Sequence, residues 1–306
     1  MNILVLGGNG FIGSHLVDKL VGEGHNVRVY DKYKELFRKP VKGVEYCFGD
    51  FGNRGLIANA VVNIDIAFHL ISTTLPKTSN DDPVYDVQSN VIESLFLFEK
   101  CVEHRVKKVV FISSGGTIYG KPKTLPVRED DSKFPVCSYG ITKLMIEKYL
   151  FFFNKLYGLS GIIVRPSNAY GPRQNPESVQ GVIPVFLDKV KEDKVIEIWG
   201  DGEIVRDFIY INDLVDGIYK AALHSTSYTI FNIGSGVGHS INEILRIIRK
   251  IIGHEIKYSY TKNRPFDVPK IYLDISKAKK EISWEPITSL DDGIKQTWEF
   301  IKSLYM

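Results

Sequence analysis

Cysteine is scarce in this 306-residue chain: only Cys47, Cys101 and Cys137 occur, and no two have CxxC spacing. That leaves no basis for a disulfide framework or a structural zinc site, and it suits reduced thiols in a cytosolic protein. Long apolar runs are absent too. The first, Ile3 to Leu6, is broken at once by Gly7 and Gly8, and none reaches the ~18 residues of a membrane-spanning helix. Charge of one sign is not in excess either. The 39 basic residues stand against 36 acidic ones along the whole chain, so no nucleic-acid or membrane surface is expected and the expected setting is the cytoplasm.

What the sequence does hold is an ordinary globular composition, 44% hydrophobic and 25% charged, enough for one large domain or two closely joined ones. Short apolar runs alternate with helical stretches, the pattern of a parallel sheet with crossover helices. The expected fold class is therefore α/β, a doubly wound parallel sheet. Strands are expected at Ile3 to Leu6, Val27 to Tyr30, Ala67 to Leu70, Val109 to Ser113 and Gly161 to Val164, with a weaker one at Val44 to Cys47. Helical apolar spacing covers Ile12 to Val21, Val84 to Glu103 and Tyr139 to Tyr157. After Arg165 the texture changes, with Pro166, Pro172, Pro176 and Pro184 close together. A division into 1–165 and a smaller α/β lobe, 166–306, is expected, with segments of the lobe returning to the first domain. In that lobe Ser240 and Glu243 form a capping box, and Ser289 is expected to start the last helix.

Gly7, Gly10 and Gly13 follow the first strand and open a helix, so Phe11 and Ile12 begin that helix beside a turn able to approach a pyrophosphate. A bare strand-to-helix turn would also account for three glycines. Asp31 raises the reading above that: it ends the second strand ~20 residues on, where a carboxylate binds both ribose hydroxyls and repels a 2'-phosphate. This selects NAD over NADP, although a loop-capping Asp31 is the plain alternative. Asp50, with Phe51 beside it at the end of the third strand, is a candidate for the adenine side, and Gly-Asp is also common turn chemistry.

Tyr139 and Lys143 lie four apart in a predicted helix, on one face and one turn from each other. A phenol ordinarily titrates near ~10, and a neighbouring ammonium favours its phenolate. Spacing alone fits a packed aromatic and a solvated lysine stem equally well. The hydroxyl-rich turn Ser113-Ser114-Gly115-Gly116-Thr117, ending a strand on the cofactor side, favours the catalytic reading.

GGNGFIGSH, SSGGTIYG, SYGITK, RPSNAYGPRQ and GDGEIVRDFIYINDL, in this order and spacing, resemble the extended short-chain dehydrogenase/reductases, nearest the UDP-glucose 4-epimerase group. The resemblance implies a Rossmann domain and a nucleotide-sugar lobe. It also implies that Tyr139 takes the proton from the sugar O4 while C4 gives hydride to NAD, the 4-keto sugar then turning over before hydride returns. Lys143 would hold the ribose, and Leu70, Ser72, Asn90, Ser113 and Pro166 would border the cofactor. Asn90 and Ser72 would serve equally as caps.

One departure stands out. Four residues before Tyr119 the family usually carries Ser or Thr to bridge O4 and the tyrosine, and this chain has Gly115. Thr117, or else Ser114, is expected to supply that hydroxyl, unless either only satisfies the turn's backbone. Related dehydratases and decarboxylases usually carry an acid where this chain has Thr117.

Arg206 and Arg264 are suited to clasping a diphosphate from two sides, though Asp207 and Asp267 nearby would also make surface ion pairs of them. By resemblance Asn168 and the loop Gly181, Val182, Ile183 meet the diphosphate or sugar, Trp199 with Ile198 lines the uracil pocket, and Asp267 belongs to the same segment as Arg264. A core role would suit Trp199 as well. Ile271 stands where the family tunes room for an N-acetyl group. The expected partner is a UDP-sugar, and a homodimer through the helices near 84–104 and 138–157 is implied. A nucleotide-sugar dehydratase, decarboxylase or reductase on the same scaffold is the alternative, and a non-catalytic NAD-binding regulator a third reading.

Overall fold

The structure, a computed structural model, describes residues 1–176, 181–262 and 268–304. Six strands come first: β1 (Asn2–Leu6), β2 (Asn26–Asp31), β3 (Glu45–Phe48), β4 (Ile66–His69), β5 (Lys108–Ile112) and β6 (Ser160–Pro166). Seven more follow: β7 (Asn168–Tyr170), β8 (Ile196–Trp199), β9 (Val205–Tyr210), β10 (Tyr228–Ile233), β11 (Gly238–Ser240), β12 (Tyr258–Thr261) and β13 (Lys270–Ile271). The helices that matter below are α1 (Phe11–Gly22), α2 (Arg54–Ala60), α3 (Pro83–Asp86), α4 (Glu93–Glu103), α5 (Ser138–Tyr157), α6 (Val182–Lys191) and α7 (Ile211–Leu223).

Ile3 to Leu6 and Val109 to Ile112 are buried along their whole length, as strands covered by helices on both faces must be. They lie in a seven-stranded sheet of order β10-β6-β5-β4-β1-β2-β3, parallel at every pairing. From β1 the chain winds outward through β2 and β3, then crosses back to β4, β5 and β6. The direction of winding reverses between β1 and β4, and ligands of such sheets bind outside the carboxyl ends of the strands at that point. β10 then rejoins the sheet as its edge, paired with β6 from Tyr228↔Gly161 to Ile233↔Pro166.

A second sheet, β11-β9-β13 with β7 on β9, and the pair β12-β8 build the C-terminal part. The Ser240–Glu243 capping box forms, and the Ser289 side chain caps the last helix. The stretch expected as one helix from Val84 to Glu103 is broken by a π-helical turn, Val87–Ile92, between α3 and α4. Asn90 lies in that turn and donates to both the Asp86 carbonyl and its carboxylate, and single π turns of this kind gather at functional sites. Among the described residues no helix is long and apolar enough to cross a membrane.

Candidate active site

The glycine turn leaves β1 at Gly7, which has φ +83° and donates its N–H to the Tyr30 carbonyl at 2.8 Å. A Cβ on Gly13 would stand 2.0 Å from the Gly7 oxygen, and one on Gly7 3.2 Å from the Ile71 nitrogen. Those two glycines are demanded by the chain's own packing. Gly10 is not: it is exposed, and an added Cβ would meet only the Gly7 oxygen, at 3.4 Å. Gly10 is the N-cap of α1, with no side-chain cap and no acid in the first turn. Its bareness keeps open the end of a helix dipole whose N–H groups suit a phosphate.

Asp31 lies beside this turn. Its carboxylate accepts the Asn9 N–H at 3.0 Å and the Tyr33 N–H at 3.1 Å, and burial raises its pKa against the pull of those bonds. Leu70 and Ser72 follow β4, next to the glycine turn, with Ser72 donating to the Thr74 carbonyl. Asp50 is exposed, paired with Lys32 at 3.0 Å and holding the Gly52 N–H. Phe51 differs from its expected placing: its ring is buried against His69, 5.2 Å between centroids, so its side chain belongs to the core. Asn90 is likewise turned inward. It accepts the Thr73 N–H at 3.0 Å and donates to Thr73 Oγ1 and Asp86, fixing the segment after β4.

α5 carries Tyr139 and Lys143 one turn apart, with Lys143 Nζ 5.6 Å from the centre of the Tyr139 ring and donating to the Ile112 carbonyl at 3.0 Å. Burial pushes the Tyr139 phenol up, with Cys137 and Asp86 adding to the effect. Burial lowers Lys143 to about 8, while Asp86 and Glu147 pull the other way. One turn further on, Glu147 forms a buried pair with Arg165 of β6 at 2.6 Å and accepts the Ser113 hydroxyl. The Ser113 hydroxyl, expected toward the cofactor, is therefore engaged inside the protein.

The turn after β5 explains the missing hydroxyl. Gly115 N donates to the Pro166 carbonyl at 2.8 Å, and a Cβ at Gly115 would stand 2.6 Å from Leu273 Cδ1 and 2.9 Å from the Pro166 oxygen. No side chain fits there. Two residues on, Thr117 Oγ1 is sealed from solvent with no partner among the described residues. Gly140, next to Tyr139, lets this turn close on α5: a Cβ there would lie 3.1 Å from the Thr117 oxygen. Buried hydroxyls nearly always find a partner, so an unpaired one beside the Tyr139 turn is suited to a ligand. Ser114 is half-buried.

On the far side, Asn168 is exposed, donates to the Asp207 carbonyl at 2.9 Å and stands near Gly116. Gly181 caps α6 with φ +98°, Val182 is half-buried and Ile183 points into the core. Ile198 is also buried, whereas Trp199 is 41% exposed, which removes the core alternative for the indole. Arg206 anchors one end of its guanidinium on the carbonyls of Val205 and Val268. Ile271 pairs with Arg206 across β13 and β9 and belongs to one apolar cluster with Ile118 and Tyr119. Arg264 and Asp267 lie outside the described residues.

The sequence matches the NAD dependent epimerase/dehydratase family over residues 3–234. The chain belongs to that family. It is 32% identical over 312 residues to a UDP-glucose 4-epimerase of Mycolicibacterium smegmatis, covering 99% of both chains. A UDP-glucose 4-epimerase of Thermotoga maritima, solved with UDP-glucose, superposes with a TM-score of 0.95 at 36% identity over 100% of each chain. One from Thermus thermophilus, solved with NAD, gives 0.92 at 31% identity over 99% of each.

The residues present in this epimerase/dehydratase family member fit NAD. The open helix end at Gly10 and Asp31 at the ribose distance are what a dinucleotide site above such a sheet needs. Sequence reasoning missed Ser79, Asn80, Asp86 and Glu147. A local signal near Asp86 is the Asp82-Pro83 pair that opens α3, and a pair of this kind marks a helix start instead of a site.

Proposed function

We infer that the protein is an NAD-dependent 4-epimerase of a UDP-hexose. The observation that carries this reading is the unpaired, buried Thr117 hydroxyl at the turn that closes on the Tyr139–Lys143 helix. NAD, when bound, supplies a reversible hydride acceptor, so that C4 of the sugar passes through a ketone and back. Gly7, Gly10, Phe11, Ile12, Gly13 and Asp31 would hold it, with Leu70, Ser72 and Pro166 along its edge and Asp50 at the adenine end.

Tyr139 takes the proton from O4 and returns it, and the nearby Lys143 ammonium favours the phenolate against burial. Thr117 bridges O4 and the phenol, with Ser114 second in line. Arg206 meets the diphosphate, Asn168 and the Gly181 loop border the sugar, and exposed Trp199 offers its face to the base. Ile271 sets the floor below the sugar. The free thiols of Cys47, Cys101 and Cys137 suit the cytoplasm.

Two copies would pair through α5 and the α3–π-turn segment, where Phe151, Phe152 and Leu156 on one and Val84, Tyr85 and Ile92 on the other are exposed. Light scattering giving monomer mass alone would remove the dimer.

The test of the activity is incubation of the purified protein with UDP-glucose, UDP-galactose and their N-acetyl forms. Interconversion of C4 isomers without change of mass is expected. No interconversion of any of them with NAD bound would refute the reading. A product of altered mass would instead indicate a dehydratase or decarboxylase, and consumption of reduced cofactor a reductase.

A further inference from the structure

α5 begins without a cap of its own: Cys137 offers no side-chain hydrogen bond to its first turn. The first amides of a helix need acceptors, and here they come from a distant part of the chain. The Ser138 N–H donates to Asn80 Oδ1 and the Tyr139 N–H to Ser79 Oγ, both at 3.0 Å. Ser79 and Asn80 belong to a 3-10 turn, Thr78–Asn80, in the segment that follows β4.

The same segment is tied to α5 a second time, through Asp86. Its side chain is wholly buried. Oδ2 accepts the Ser138 hydroxyl at 2.6 Å, while Oδ1 accepts Thr74 Oγ1 at 2.5 Å and Asn90 Nδ2 at 3.0 Å. All three partners are neutral donors, the arrangement that lets a carboxylate remain inside a protein.

We propose that Asp86 is a positioning residue for the Tyr139–Lys143 pair, holding the first turn of α5 against the segment after β4 and setting its carboxylate near the pair. The inference rests on the reading of Tyr139 and Lys143 as the catalytic pair.

The titratable groups facing that pair come from three elements: Cys137 and Asp86 bear on Tyr139, Asp86 and Glu147 bear on Lys143, and His69 of β4 feels the Lys143 charge. His69 is lowered to about 3 by burial and by Lys143, so it stays neutral. Asp86 is then the charge that raises both partners, opposing the Tyr139 phenolate and supporting the Lys143 ammonium. Without it both titrate at lower pH.

The experiment is Asp86→Asn, which keeps the shape, removes the charge and turns one amide N–H toward a donor. Expected are a loss of about tenfold in kcat, KM within about twofold, and both limbs of the pH profile moved to lower pH by about half a unit or more. A pH profile that does not move overturns the proposal, even if the melting temperature falls. If Asp86→Asn does not fold, Ser138→Ala is read in its place. It removes only the hydroxyl tie, and a kcat equal to that of the parent overturns the proposal. Tyr139→Phe, run alongside, separates the two levels: retained activity there sinks the catalytic assignment itself, whereas its loss with parental behaviour of Asp86→Asn sinks only the role of Asp86.

Discussion

Leu273 occupies the space that any side chain at Gly115 would need, its Cδ1 lying 2.6 Å from the position of an added Cβ. Gly115→Ser, which restores the hydroxyl common in the family, is therefore expected to destabilise the fold by about 1–3 kcal/mol and to lower activity. Combining it with Leu273→Ala should recover part of the gap created by the first change. Thermal or denaturant unfolding of the two single variants and the double variant measures this coupling, and strict additivity would contradict the steric account.

Thr117→Val removes a hydroxyl that has no partner inside the protein among the described residues. Stability should hold or rise, since no hydrogen bond is broken and a buried polar atom is removed. Turnover should fall by about 10²-fold or more, and Thr117→Ser should retain most of it. Steady-state kinetics beside melting curves tests both halves, and a Val variant with parental kcat would hand the bridging role to Ser114.

Lys143 is predicted to cost stability at neutral pH. Its folded value, about 8, lies below the ordinary 10.5, so between those values the unfolded chain binds the proton that the folded chain has released. Stability therefore rises with pH across that window, and the penalty is full below it. Lys143→Met removes a penalty on the order of 3 kcal/mol, offset by about 1 kcal/mol for the lost bond to the Ile112 carbonyl. The cofactor-free variant should melt higher than the parent at pH 7, with the gap closing by about pH 10, while losing turnover.

Asp31 binds its own loop and the glycine turn at once. Asp31→Ser should weaken NAD binding by about tenfold or more while weakening NADP binding less, because the repulsion of a 2'-phosphate is removed. Fluorescence titration with both cofactors reads the ratio, and an unchanged NAD to NADP preference would move cofactor selection elsewhere.

Much of the sheet was legible because β1, β4 and β5 are buried on both faces and show as unbroken apolar runs. The Tyr139–Lys143 pair was legible because four-residue spacing on a helix is local. The caps of α5 were not, since Ser79 and Asn80 act across 60 and 58 residues and leave no pattern around Ser138. Gly115 read as a missing group because Leu273, which fills its place, is far away in sequence. Phe51 follows β3 and Asn90 lies in a π-helical turn, and which way each side chain turns depends on neighbours distant in sequence, such as His69 and Thr73.

The return of β10 to the edge of the first sheet bears on any attempt to cut the molecule in two. A fragment ending near residue 165 would keep Gly7, Gly10 and Gly13 and both Tyr139 and Lys143. It would also bare the flank of β6, where Ile162 to Val164 are wholly buried against Phe231 and its neighbours. An open apolar strand edge invites pairing with other chains. Such a fragment should precipitate instead of binding dinucleotide, so the half that reads as a portable module depends on a strand made some sixty residues later.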